Sequence, residues 1–273
     1  MTAIAYNQDK LLYQSIFSQD ELDYLEALNA HSKGEFLLTP RNIEAFSIDF
    51  AYTSARLEGN TYTPIEAEIL LKTGRTANDS KRFDEALMIK NMYKAFDYVV
   101  LEASQQENKS PIQYLIKNLH TQVSEMLLDR QDCGVVRKSP VLISTSNYVP
   151  SDTPKQLEAG LDLIVSEYDK IQNVFERSVY IHQNLAYLQY FLDHNKRTAR
   201  NMVAYTLLNA GKMPVIFTEK RSNEYVRAVL SYYESPVADY TEFKKYFISA
   251  YEKVCSKMNV NAIKEAKNSI AKK

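Results

Sequence analysis

The sequence predicts a mostly α-helical protein with one small β element, and three observations support this fold class. Apolar residues recur at the three- and four-residue spacing of amphipathic helices along most of the 273 residues. Only six glycines and eight prolines interrupt the chain, so long stretches contain no helix-breaking residue. β-Branched residues are concentrated in one region, VVRKSPVLISTSNYVP, at residues 135–150. We therefore expect a helical bundle with a short β-hairpin or extended flap.

Local start and stop signals place the predicted helices along the chain. Pro40 begins a helix that ends before Gly59 and Asn60, and Thr63 caps a short helix that is closed by Gly74. The predicted helices cover approximately residues 9–31 with a break or second N-cap at 18–21, then 40–57, 63–72, 80–104 with Asp79 or Ser80 as its cap, 111–128, 153–171, 174–190, 196–211, 220–233 and 239–256. The lysine-rich tail, VNAIKEAKNSIAKK, is either an additional helix or a frayed end.

Composition and charge argue against several functional classes. The chain is 45% hydrophobic and 25% charged, with a net charge of −1, so no overall field attracts nucleic acid or an anionic membrane. No apolar run reaches the ~20 residues that cross a bilayer, and the first residues do not resemble a signal peptide. Cys133 and Cys255 lack metal-ligand spacing and are interpreted as free thiols, so we expect a cytoplasmic protein that does not contact membranes.

A cluster of charged residues at the start of a predicted helix, within QYFLDHNKRTAR at residues 189–200, indicates an anion site. A helix N-terminus already attracts anions, so adding cations there destabilises the helix but favours a polyphosphate ligand. Arg197 and Arg200 share one helix face. Asp193 precedes the helix, where a carboxylate can hold Mg²⁺ that bridges phosphates, and Asn195 can add its amide. The alternative is an ordinary helix start, capped by Asp193, whose arginines pair with surface acids.

The same segment resembles the signature of the Fic/Doc (Fido) family, HxFx[D/E][G/A]N[G/K]Rxx[R]. The matching positions are Phe191, Asp193, Asn195, Lys196, Arg197 and Arg200. Lys196 is as in the Doc-like branch, whereas Arg200 is as in the Fic-like branch. The resemblance implies a Fic-type helical bundle that binds ATP with Mg²⁺. It assigns the nucleotide to Asn195, Lys196, Arg197 and Arg200, and the metal ion to Asp193.

Three positions of the signature depart from the adenylyltransferase pattern. Gln189 occupies the position of the catalytic histidine, and an amide cannot accept the proton of a target hydroxyl, which typically costs ~10²–10⁴-fold in rate. His194 replaces a glycine or alanine; its ring is a candidate substitute base or phosphate-binding cation, although it would crowd the phosphates. Lys196 replaces the glycine of members that transfer AMP and matches Doc-like toxins that transfer the γ-phosphate.

A second segment, TSARLEGN at residues 53–60, resembles the Fic inhibitory motif, [S/T]xxxE[G/N]. Ser54 and Glu58 are four residues apart and share one helix face. The resemblance implies that Glu58 pairs with Arg200 and blocks the site of the γ-phosphate. The alternative is a helix C-terminus with a solvated pair formed by Glu58 and Arg56.

Upstream of the signature, residues 119–143 resemble the family's LH…GxxR…V segment, which forms a flap. The resemblance implies that Val141, Leu142 and Ile143 register the backbone of a target protein by strand addition. His182, seven residues before Gln189, is interpreted as a packing or hydrogen-bonded residue.

The resemblance divides the chain into three parts. They are an N-terminal helical segment (1–39), a Fic-like core (40–235) that includes an inhibitory helix (about 41–58) and the flap (about 134–150), and a C-terminal helical extension (236–273). We expect a Fic-family nucleotide-binding protein that resembles protein adenylyltransferases, is autoinhibited by Glu58 and is impaired by Gln189. The alternatives are a catalytically silent relative that binds a nucleotide or a protein, and a Doc-like phosphotransferase. The neutral charge argues against nucleic acid, and the sequence leaves homo-oligomer formation open.

Overall fold

The computed structural model describes residues 3–32, 39–77, 80–107, 109–143, 145–218 and 222–271, and this part of the chain is mostly α-helical, as the sequence predicted. Its regular elements are β1 (Ile4–Ala5), α1 (Gln19–Ser32), α2 (Pro40–Arg56), α3 (Pro64–Thr73), α4 (Phe83–Ser104), α5 (Ile112–Ser124), β2 (Tyr148–Val149), α6 (Pro154–Lys170), α7 (Val174–Leu188), α8 (Asn195–Asn209), α9 (Ser222–Glu234), α10 (Thr241–Met258) and α11 (Ala262–Ile270). In these residues, every helix is too short or too polar to span a membrane.

Helices α7 and α8 form the centre of the bundle. All residues from 178 to 188 in α7 and from 197 to 207 in α8 are buried, which is typical of helices surrounded by protein. Helix α8 packs against α4 and α5, helix α2 packs on α4, and α9 and α10 contact α7. The loop between α7 and α8 is therefore anchored at both ends in the core of the protein.

The local signals that begin helices α2 and α3, and the one that ends α3, act as the sequence predicted. Thr39 caps α2 by accepting a hydrogen bond from the backbone of Asn42, and Thr63 forms a capping box with Glu66 at the start of α3. Gly74 ends α3 in the left-handed conformation (φ 74°). The predicted inhibitory helix is two residues shorter at its end, because α2 stops at Arg56 and residues 57–59 form a turn.

Three predicted helix boundaries were wrong. The first helix begins at Gln19 rather than residue 9, at the second N-cap that the sequence allowed, where Ser18 and Glu21 form a reciprocal capping box. Helix α4 begins at Phe83 rather than at residue 80, and Phe83 is 70% exposed. Helix α5 ends at Ser124, two residues before Met126 adopts a positive φ of 58°. The predicted cap Asp79 lies outside the described residues.

The sequence predicted either a short β-hairpin or an extended flap, and the described residues do not form the hairpin. Strand β2 pairs in parallel with β1, and the paired residues are Ile4 with Tyr148 and Ala5 with Val149. The described flap residues between 134 and 147 are irregular, with turns and bends, and form no ladder with one another. Pro140 lacks an N–H group, and the N–H of Arg137 donates to the carbonyl oxygen of Tyr190 (3.0 Å) instead of to a partner strand.

The segments at the two ends of the chain pack on each other and on the core. Residues 3–17 run as an irregular strap over α6 and α7, so the segment 1–39 is only partly helical. The carboxylate of Glu176 in α7 holds this strap by accepting hydrogen bonds from the N–H groups of Ile16 and Phe17. The tail forms α11, which packs on α1, and both cysteines are free thiols. The division at residues 39/40 and 235/236 stays a prediction.

Candidate functional site

The loop that joins α7 to α8 is fixed by its own side chains. Gln189 and His194 both have positive φ values (49° and 61°), which L-residues adopt at an energetic cost. The side chain of Asn195 compensates, because its Oδ1 accepts from the N–H of Phe191 (3.0 Å) and its Nδ2 donates to the carbonyl of Phe191 (2.9 Å). Nδ2 also donates to Oε1 of Gln189 (3.2 Å). Asn195 thus shapes the loop, and its amide is already engaged there.

Arg137 connects the base of the flap to this loop. Its guanidinium group is buried and donates to three backbone carbonyl groups: Gln189 (2.7 Å from Nε), Ser139 (2.7 Å from Nη1) and Ser151. The sequence interpretation quoted Arg137 only as part of a motif. The GxxR spacing is the only sequence signal for this residue. Its three carbonyl partners lie far from one another in the sequence, so the sequence does not show that Arg137 joins them.

The loop, the flap and α9 surround an open pocket of about 770 Å³, open solvent at its mouth included. The apolar part of the wall consists of Leu142, Ile143, Val226, Val229 and Leu230. The charged part contains Asp193, Lys196, Arg197 and Glu58. The pocket therefore has an apolar side and a side rich in cations.

The contact predicted between the two motifs is present. Arg200 is buried, and its Nη1 donates to Oε1 of Glu58 at 2.8 Å. Its Nε donates to the hydroxyl of Ser54 (2.7 Å), and its Nη2 to the backbone carbonyl of Ser54 (3.1 Å). Glu58 lines the pocket and Arg200 does not, so the glutamate separates this arginine from the open space.

The carboxylate of Glu58 binds a second cation through its other oxygen. Oε2 lies 3.4 Å from Nζ of Lys196. Burial alone would raise the pKa of Glu58, but the charges of Arg200, Lys196 and Arg197 outweigh burial and lower that pKa from 4.5 to about 2. Glu58 is therefore ionised at neutral pH and neutralises part of the positive charge in the pocket.

Arg197 lines the pocket with an incompletely paired guanidinium group. Arg197 is only 6% exposed, and its Nη2 lies 3.7 Å from Oδ2 of Asp193. Nε and Nη1 have no hydrogen-bond partner among the residues that the structure describes. Burial lowers the pKa of Arg197 and outweighs the opposite effect of the charges of Glu58 and Asp193. Unpaired buried donors are unfavourable, and pairing through Nη2 alone leaves the positive charge of Arg197 incompletely compensated beside the pocket.

Asp193 provides one carboxylate at the rim of the same pocket. Its side chain is 64% exposed, and Oδ1 accepts from the N–H of His194 (2.6 Å). Across the described ranges, there is no cluster of three or more His, Cys, Asp or Glu that could hold a metal ion. Mg²⁺ at nucleotide sites often uses one or two carboxylates together with substrate phosphates. A single exposed carboxylate beside an anion pocket fits such a shared site and does not fit a metal site built from protein ligands alone.

The two residues considered as catalytic groups have restricted chemistry. Gln189 donates from Nε2 to the carbonyl of Ala186 (2.6 Å) and accepts from Asn195, so both ends of its amide are engaged. His194 is buried, and its Nδ1 is 2.8 Å from the hydroxyl of Ser124, on the α5 side of the loop. Burial, assisted by the charge of Arg197, lowers the pKa of His194 to about 2.

The roles suggested for His194 from the sequence therefore do not suit its position. A neutral imidazole is not a phosphate-binding cation, and a group with so low a pKa is a weak proton acceptor. The ring is held by the contact of its Nδ1 with Ser124, and His194 also belongs to the wall of the pocket. On the flap, Leu142 is 89% exposed and Ile143 lies deeper in the pocket wall, whereas Val141 does not line the pocket.

Comparison with known proteins agrees with this architecture. Residues 112–207 match the family model described as the Fic/DOC family. The protein adenylyltransferase Fic of Drosophila willistoni is 27% identical over 226 residues, which are 80% of this chain and 43% of that protein. The chain thus spans less than half the length of this curated relative.

Two solved structures share the fold. A Fic domain containing signaling protein from Bacteroides thetaiotaomicron has a TM-score of 0.72 and 20% identity, covering 90% of this chain and 98% of that chain. A variant of IbpAFic2 in complex with adenylylated Cdc42 has a TM-score of 0.54 and 14% identity, covering 90% of this chain and 73% of that chain. At these identities, the likeness establishes the fold.

Proposed function

Since the chain belongs to the Fic/DOC family through residues 112–207, we propose that it is a nucleotide-binding protein of the adenylyltransferase type that is inhibited by Glu58 and impaired by Gln189. One observation carries the proposal. Arg197 lines the pocket and is incompletely paired, while Arg200 on the same helix is bound by an internal carboxylate. A pocket with two such arginines, one of them blocked by Glu58, suits a ligand with several phosphates.

The charged and apolar walls suggest how ATP would bind. Its phosphates would pair with Arg197 and Lys196, at the N-terminus of α8, where free N–H groups also favour anions. The base would contact the apolar wall formed by the flap and α9. Asp193 would hold Mg²⁺, which neutralises and orients the phosphates. Arg200 becomes available to the terminal phosphate only when Glu58 leaves it.

AMP transfer would require a base that the loop does not supply. The oxygen of a target hydroxyl forms a bond to the α-phosphorus of ATP, the bond from that phosphorus to the β-phosphate oxygen breaks, and pyrophosphate leaves. The hydroxyl proton must pass to an acceptor as the new bond forms. Gln189 can orient the hydroxyl by hydrogen bonding but cannot take its proton, so we expect transfer to be slower by ~10²–10⁴-fold.

The flap is the proposed docking site of a protein target. Leu142 is exposed and lines the pocket, and residues 141–143 belong to no strand. A target strand could therefore add to Val141, Leu142 and Ile143 and present its hydroxyl to the pocket. The similar IbpAFic2 structure, which contains adenylylated Cdc42, supports a protein as the class of target.

Gln189 also supports a second candidate function, a catalytically silent relative that binds a nucleotide or a protein. Both ends of its amide are engaged by neighbouring groups, and the pKa of His194 is too low for it to substitute as the base. Doc-like transfer of the γ-phosphate is a variant of the first function, suggested by Lys196.

Labelled ATP separates these functions. The protein would be incubated with lysate and ATP labelled at the α- or γ-phosphate, as wild type, as Glu58→Gly, and as Glu58→Gly combined with Gln189→His. The matched control combines Glu58→Gly with Gln172→His, a substitution of the same type at an exposed site outside the pocket. We expect labelling to increase by ~10²-fold or more when Gln189→His is added to Glu58→Gly, and not in the control.

Each outcome supports one reading. Strong labelling by Glu58→Gly alone would contradict impairment by Gln189. Absence of labelling in every variant, together with measurable ATP binding, would favour the silent relative. Label transferred from the γ-phosphate instead of the α-phosphate would identify a phosphotransferase.

A further inference from the structure

Tyr225 on α9 contacts the blocked arginine from the side opposite the inhibitory motif. Its phenolic oxygen accepts a hydrogen bond from Nη1 of Arg200 at 2.9 Å, and the residue is fully buried. Arg200 makes four hydrogen bonds: two to Ser54, one to Glu58 and one to Tyr225. Ser54 and Glu58 both belong to the end of α2 and the turn after it, so Tyr225 is the partner that another element supplies.

A chain of hydrogen bonds fixes the direction in which the Tyr225 hydroxyl points. It begins at the backbone carbonyl of Ala228, which can only accept and which lies 3.4 Å from Nε2 of Gln183. Oε1 of Gln183 is therefore directed at Nδ1 of His182 (3.0 Å), and Nδ1 carries the proton. Nε2 of His182 must then accept, and its partner is the hydroxyl of Tyr225 (3.1 Å). This agrees with the packing role that the sequence suggested for His182.

The chain makes Tyr225 an acceptor toward Arg200. Its single proton is donated to His182, so the lone pairs of its oxygen are left for the guanidinium group. His182 is fully buried and stacks on Phe243 with ring centroids 4.3 Å apart, which holds the acceptor nitrogen in place. The orientation of this tyrosine is therefore set by groups that contact neither Glu58 nor the pocket.

We infer that Tyr225 is a positioning residue for Arg200: it holds the guanidinium group in place when Glu58 leaves, so that the freed N–H meets the terminal phosphate of ATP. This inference rests on the proposed function, because it needs a nucleotide in the pocket. A movement of the end of α2 that withdraws Glu58 would carry Ser54 with it, because both residues belong to this segment. The contact from α9 then remains, and Arg200 keeps its direction.

The test separates the hydroxyl from the ring. Tyr225→Phe keeps the ring, which packs against Phe217 and Phe243, and removes only the acceptor. Tyr168→Phe is the matched control, since it removes a buried hydrogen bond of similar length, to Thr206 on the same helix α8, outside the pocket. Both substitutions would be made in the Glu58→Gly protein, and ATP and ADP binding would be measured by calorimetry with Mg²⁺.

The expected result is a difference between the two nucleotides. Tyr225→Phe should weaken ATP binding about tenfold, as expected for a mispositioned hydrogen bond to a charged group, and change ADP binding by less than about twofold. Tyr168→Phe should change neither. Equal weakening of ATP and ADP by Tyr225→Phe would identify a structural role and overturn the inference, as would unchanged ATP binding. If Glu58→Gly bound neither nucleotide, the proposed function would fail, and the inference with it.

Discussion

Arg197 and Arg200 lie one turn apart on α8 and are both buried, yet their guanidinium groups have different partners. Arg200 makes hydrogen bonds to Glu58, Ser54 and Tyr225. Arg197 lies 3.7 Å from an oxygen of Asp193, and two of its nitrogen atoms have no partner in the described part of the chain. Two buried arginines of one helix thus differ in their pairing: Arg200 is bound to an internal carboxylate, and Arg197 is incompletely paired.

The difference also appears in their proton affinities. Burial lowers the pKa of both guanidinium groups, but the neighbouring Tyr225 and Glu58 outweigh burial at Arg200 and raise its pKa, whereas the pKa of Arg197 stays lowered. An internal carboxylate therefore stabilises one cation and leaves the other to an external ligand. The comparison predicts that the two arginines contribute oppositely to stability and binding.

The largest expected effect is on stability, at Arg200. Arg200→Met should lower the free energy of unfolding by ~3–5 kcal/mol, because it leaves the carboxylate of Glu58 without its main partner. Urea unfolding at pH 7 measures this change. Adding Glu58→Gln should restore part of the loss, since the uncompensated charge is then removed. Additive losses in the double variant would contradict the pairing.

Next in size is the pH dependence of Glu58. Its pKa in the folded protein is about 2, below its usual 4.5, so the unfolded chain binds more protons near pH 3. The stabilisation is present above pH 4.5 and is lost as the pH falls toward 2. The shift corresponds to roughly 3 kcal/mol. The difference in unfolding free energy between the wild type and Glu58→Gln should therefore shrink from pH 6 to pH 3. A constant difference over that range would show that Glu58 is not held as a carboxylate.

A smaller change in the unfolding free energy, in the opposite direction, is expected at Arg197. Arg197→Met should leave the unfolding free energy unchanged or raise it by about 1 kcal/mol, because it replaces an incompletely paired buried cation with an apolar side chain. In the Glu58→Gly protein, the same substitution should abolish most ATP binding. Urea unfolding and calorimetry measure the two effects. A stability loss comparable with that of Arg200→Met would contradict the contrast between the two arginines.

Elements defined by neighbouring residues could be predicted from the sequence. The start of α2 at Pro40 and the end of α3 at Gly74 depend on caps within a few positions, and the structure places both where the sequence did. The contact of Glu58 with Arg200 was predicted from two motifs about 140 residues apart, which a resemblance to a known family brought together. Local physical chemistry alone would not have paired them.

Features that depend on distant backbone groups were missed. Strand β1 is two residues long and pairs with a strand more than 140 positions away. Two residues are too few for an alternation of apolar and polar side chains to predict a strand. The direction of the His194 ring depends on a hydroxyl of α5, and the role of Tyr225 depends on His182 in another helix. Such contacts arise only when the helices have packed.

Titration of ATP with Mg²⁺ into the wild type and Glu58→Gly, followed by calorimetry, tests the central claim that Glu58 occupies the place of a terminal phosphate. The Glu58→Gly protein should bind ATP about 10–100-fold more tightly, because a charge-assisted contact of Arg200 becomes available to the ligand. ADP, which lacks that phosphate, serves as the internal control and should change much less. Equal ATP affinity of the two proteins would contradict the claim.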